Sequence, residues 1–190
     1  MRDRIVLKLV RIALLFALLT PQILPAATTA FAQDSNSAKA RALVDAAIKM
    51  TDSNAAVKLL WQATEIDPDY DASYVYLGLY YNSRSDFENV IKVYQKLVKH
   101  DPKQVSAYLN IGEAYMSFTP PKTQDALVYY RKAYEIDSGN SFAALRIGQL
   151  LAEKGSRDEA MKYLKIALAD TKNPAASSEA EKVLRQMGAL

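Results

Sequence analysis

The chain has 190 residues, no Cys, one His, 50% hydrophobic residues and a formal charge of +3, which suits one domain with an attached segment. Without Cys there is no disulfide framework, no thiolate metal site and no thiol to carry a lipid. The basic surplus sits at the front: removing residues 1–32 takes away Arg2, Arg4, Lys8 and Arg11 against Asp3, which leaves 20 basic and 20 acidic residues. A neutral remainder argues against nucleic acid, which requires clustered base on a net-basic domain.

In chain order, the basic front leads into the apolar run Ile12–Leu19. The small-residue stretch that follows places Ala30 and Ala32 ahead of Gln33 as a cleavage site. Residues 1–32 therefore read as a secretory signal peptide, and 33–36 as a short linker. Lys8 and Arg11 interrupt the apolar start, and Pro21 and Pro25 its end. What lies between falls short of the ~20 apolar residues of a membrane span. No span is expected after cleavage, and the mature protein is expected to be exported, to a periplasm or the exterior.

From Ser37 onward apolar residues recur at three and four, without strand-type alternation, between short polar breaks. The spacing predicts nine helices. Breaks fall at 51–54, 67–69, 82–86, 100–102, 118–121, 137–140, 155–156 and 173–174. Pro68 and Pro102 stand 34 residues apart. In that register Tyr74, Leu77, Gly78 and Tyr81 match Tyr108, Ile111, Gly112 and Tyr115, then Ala144, Ile147, Gly148 and Leu151. On the second helices Val90, Tyr94 and Leu97 match Ala126, Tyr130 and Ala133, then Ala160, Leu164 and Ala167. A period of this length with two helices per unit predicts an all-α fold, an α-solenoid. Each Gly removes a side chain where paired helices cross; Ala56, Ala126 and Ala160 leave matching room on the second helix, and the residue four beyond each fills the gap. Segment 175–190 sets Ala176, Ala180, Val183, Leu184 and Met187 against Glu179, Glu181, Lys182 and Arg185, a capping helix started by Pro174.

These residues resemble the tetratricopeptide repeat over 37–174, in units 37–70, 71–104, 105–140 and 141–174. The resemblance implies a right-handed solenoid of about four helix pairs. Unit 71–104 carries the pattern best. Unit 105–140 has two extra residues near Pro120–Pro121, unit 141–174 lacks the closing Pro, and unit 37–70 has Ala40 and Val44 where the aromatic and Gly belong.

Chemistry is not indicated. His100 sits in a last helical turn, where a cation offsets the helix dipole, and no nucleophile, metal or phosphate motif occurs. No cofactor or metal is expected, and the chain reads as non-enzymatic. Lys92, Lys96, Lys99 and Lys103, a turn apart, read as a solvated helix face.

Binding is better supported. A second stripe on the first helix of unit 71–104, Ala72, Val75, Tyr76 and Leu79, lies away from the Tyr74, Leu77, Gly78, Tyr81 stripe. The resemblance implies that it faces a concave groove, joined by Ser106, Leu109, Asn110 and Glu113, then Phe142, Leu145, Arg146 and Gln149, with Ala38, Arg41, Ala42 and Asp45 in the first unit. One subfamily grips a C-terminal carboxylate there with Lys and Asn in one repeat, Asn in the next, and Lys and Arg in the third. Asn110 and Arg146 match that clamp, whereas Val75, Leu79 and Phe142 replace its other members. The expected function is an adaptor or scaffold that takes a protein or peptide partner in an apolar groove with a few polar contacts. Two further readings fit the same residues: a self-associating solenoid, and an accessory subunit of an envelope enzyme complex.

Overall fold

The computed structural model describes residues 24–190, with side chains from Gln33 onward. The signal-peptide reading therefore falls outside the described residues as far as 23. Of Ala30 and Ala32 only the backbone is described.

The described residues form nine α-helices and no strand. They are α1 (Leu24–Ala47), α2 (Ser53–Ile66), α3 (Asp71–Ser83), α4 (Phe87–His100), α5 (Val105–Met116), α6 (Thr123–Ile136), α7 (Ser141–Glu153), α8 (Arg157–Leu168) and α9 (Pro174–Gln186). The chain divides into two compact units, one ending at Tyr70 and the other running from Asp71 to Leu190.

The expected linker at 33–36 is corrected: Gln33, Asp34, Ser35 and Asn36 lie inside α1, which begins at Leu24. These residues contain no Pro or Gly, and their exposed polar side chains suit a solvated helix as well as a coil. In this first unit α1 packs on α2, burying Ala40, Val44, Leu60 and Ala63. Asp52 caps α2 by accepting from the amides of Asn54 (2.9 Å) and Ala55 (3.1 Å).

In the second unit each helix packs on the next in chain order, and α7 also touches α9. The crossings are as tight as the small residues imply. A Cβ added at Gly78 would lie 2.9 Å from Tyr94 Cε2; at Gly112 it would lie 2.5 Å from Tyr130 Cε1, and at Gly148 2.7 Å from Leu164 Cγ. Real Cβ atoms do not approach that closely, so glycine is what lets Tyr94, Tyr130 and Leu164 occupy the crossings. Tyr74, Tyr130, Ile111, Ile147, Leu164 and Leu184 are fully buried there.

The helix ends repeat one device. Asp67, Asp101, Asp137 and Asp170 each accept, through Oδ1, the backbone N–H two residues on, from Asp69 (3.1 Å), Lys103 (2.9 Å), Gly139 (3.1 Å) and Lys172 (2.9 Å). Asp137 and Asp170 take part without a following proline; for Asp170 a further contact is present. A Ser141 hydrogen bond, with help from the Lys172 amide, holds its carboxyl below the usual carboxylate range.

Candidate functional site

Three first helices of the second unit, α3, α5 and α7, carry the stripe read as a binding face. At one end Val75, Tyr76 and Leu79 are exposed at 46%, 38% and 59%, an apolar patch on α3. Leu79 and Asn110 line a small cleft of about 190 Å³ between α3 and α5, backed by Gly78 and Tyr94 and reaching Glu113. Asn110 is exposed and donates from Nδ2 to the Ser106 carbonyl of its own helix at 2.8 Å.

Leu145 does not belong to this face. It is 5% exposed and sits in the hydrophobic core, while Leu109 is partly buried against the same cluster. The third first-helix is flanked on both sides, by α6 and by α8 and α9, so one more residue of its stripe is covered than on α3.

The polar residues of the stripe meet one another. Arg146 donates from Nε to Glu113 Oε1 and from Nη2 to Glu113 Oε2, both at 2.7 Å, and from Nη1 to Gln149 Oε1 at 3.3 Å. Its guanidinium also lies 5.0 Å from the Phe142 ring centroid. Tyr130, at the Gly112 crossing, donates its hydroxyl to Glu113 Oε1 at 2.6 Å. Burial, together with that hydrogen bond and the carboxylate's charge, pushes the Tyr130 phenol well above the ordinary tyrosine range, only partly offset by Arg146. All three guanidinium nitrogens are thus engaged within the protein. The pairing was missed from sequence, although Arg146 stands in the register of Asn110, one turn from Glu113, and carries the opposite charge.

Beyond this network α7 and α9 enclose a cleft of about 420 Å³. Half-buried rings run from Phe87 through Phe118, Tyr115 and Tyr129 to Tyr108, with successive centroids 5.5 to 6.5 Å apart. They bridge α4, the α5–α6 turn, α5 and α6, which is a packing role. Tyr80 makes an edge contact with Tyr81 at 5.2 Å, and Arg84 lies 4.8 Å from its ring centroid. Among the described residues no group of His, Asp or Glu side chains is placed to hold a metal ion, and no helix is long and apolar enough to cross a membrane.

Residues 122–182, which span α6 to α9, match the tetratricopeptide repeat family model. That segment is similar to the tetratricopeptide repeat. Proteins built from such repeats bind protein partners, commonly as interaction scaffolds. The repeats resemble part of superkiller complex protein 3 from Mus musculus, 26% identical over 135 residues and 70% of this chain, and from Homo sapiens, 25% identical over 130 residues and 67%. The chain spans only 8% of the length of either relative. Among solved structures it resembles a thermophilic tetratricopeptide-repeat protein of Thermus thermophilus, with a TM-score of 0.56 and 20% identity over 79% of this chain and 84% of that one. MamA gives 0.61 and 16% over 82% and 85%. The TPR2B domain of yeast Sti1, solved in complex with pHsp70, gives 0.53 and 21% over 60% and 93%. At these identities the structures speak for the α-solenoid fold alone.

Proposed function

We propose that this tetratricopeptide-repeat chain is a non-enzymatic adaptor that holds a segment of a partner protein along α3, α5 and α7. The observation that carries the reading is the exposure of Val75, Tyr76 and Leu79 together on α3. Large apolar side chains left in water on one helix face gain on association by roughly 25 cal/mol per Å² of apolar area covered. The neighbouring Asn110 adds an exposed side-chain amide. The Glu113–Arg146 pair sets the far wall of the face, with the Arg146 charge already matched by a carboxylate of the protein. The basic, then apolar, then small-residue front of the chain supports export, so the partner belongs to the cell envelope or the exterior.

A pull-down with mature protein tests this reading. The Val75→Ser/Tyr76→Ala/Leu79→Ser variant, shown to be folded by its helical circular dichroism, should lose partners that wild type retains. Retention of every partner removes the reading. Sedimentation of wild type at tens of micromolar should show a monomer; a dimer that this variant abolishes would favour self-association through the same patch.

A further inference from the structure

We propose that the cleft between α7 and α9 is a further subsite at the α7 end of the binding face, one that takes a Lys or Arg side chain flanked by an aliphatic residue on a partner segment. It rests on that reading for α7, whose Arg146 and Gln149 also line the cleft, and extends it to α9 and the end of α5, which hold no residue of the α3 patch.

The floor is apolar and adaptable. Met116, Leu150, Val183 and Met187 line it, and methionine's flexible thioether fits partner side chains of varied shape. The cleft, about 420 Å³, falls in the ~300–1,000 Å³ range of ligand clefts, so it accepts side chains rather than single waters. The charge is one-sided. Arg146 is the one cation of the lining, and its charge is paired with Glu113, with further contacts to Gln149 and Phe142. Glu153 and Glu179 also line the cleft. Glu179 has only a 3.5 Å contact with the exposed Lys182, and Glu153 forms no ion pair among the described residues.

An anionic occupant would face both carboxylates and find the Arg146 charge already paired. A Lys or Arg stem instead lies along Met116 and Met187 while its head reaches Glu153 and Glu179, and the aliphatic neighbour takes the remaining apolar floor. The Glu113–Arg146 pair is therefore a specificity element: by neutralising Arg146 it selects for cations.

The test uses mature protein labelled with ¹³C at the methionine methyls, titrated with acetylated, amidated peptides Ser-Leu-X-Leu-Ser in which X is Lys, norleucine or Glu. With X = Lys the Met116 and Met187 methyls should shift saturably, while Met161, which does not line the cleft, stays in place. Binding should weaken at least about fivefold with norleucine or in the Glu153→Gln/Glu179→Gln variant, weaken further with Glu, and fall as salt rises. Tyr76→Ala should leave the Met116 and Met187 shifts unchanged, so failure here and failure of the α3 reading are told apart. Equal binding of the three peptides, absence of any saturable shift at Met116 and Met187, or loss of the shifts in Tyr76→Ala would overturn the proposal.

Discussion

At the residue scale the crossings depend on what is absent from Gly78, Gly112 and Gly148. Gly112→Ala would set a methyl against the Tyr130 ring, which is locked by burial and by its bond to Glu113. Overpacking of this kind costs about 1–3 kcal/mol, more than the ~1 kcal/mol that alanine returns in helix propensity, so urea denaturation should show a net loss of stability. Adding Tyr130→Leu should recover part of it. Tyr130 also makes stability depend on pH. The raised folded-state value means that the native protein keeps the phenolic proton where the unfolded chain releases it near 10. Its contribution is therefore complete below about pH 9 and declines as pH rises above about 10, because the unfolded state then holds fewer protons. Tyr130→Phe should flatten the alkaline fall in melting temperature; an unchanged profile would assign the fall elsewhere. These crossings were legible in the sequence, since a 34-residue register aligns each Gly with the residue that fills its space. The Glu113–Arg146 pair was not, because it joins residues 33 apart whose meeting depends on how α5 and α7 lie side by side.

At the element scale, paired turns show how local chemistry sets helix ends. Gly155 (φ +83°) and Ser85 (φ 56°) hold the left-handed conformation at matching places in the α7–α8 and α3–α4 turns. A Cβ at Gly155 would meet nothing within 4 Å, so the cost of Gly155→Ala is purely conformational and should be about 1 kcal/mol in thermal or chemical unfolding. A loss well above that would mean that the turn has a packing role. The α5–α6 turn takes six residues, 117–122, where the other two take three, and this accounts for the longer unit expected around Pro120–Pro121. The helical state of residues 33–36 escaped sequence reading for a simple reason. A run of Gln, Asp, Ser and Asn favours neither helix nor coil strongly enough to mark a boundary without a Pro or Gly.

At the scale of the whole molecule, periodicity revealed the helix pairs, whereas the binding face required knowing which neighbour covers each stripe. Val75, Tyr76 and Leu79 stay open on α3, while the equivalent run on α7 loses Leu145 to the core. An isolated stripe cannot report this, because burial of Leu145 is set by the helices that flank α7, namely α6, α8 and α9. The central claim, that partner recognition runs through the α3 face, is open to one matched comparison. Tyr76 and Ile136 are exposed almost equally, at 38% and 39%, but Ile136 ends a second helix, α6. A photocrosslinking amino acid placed at each position in the mature protein should, in envelope extracts, give a discrete adduct from position 76 and none from 136. The same adducts from both positions, or none from 76, would contradict the account.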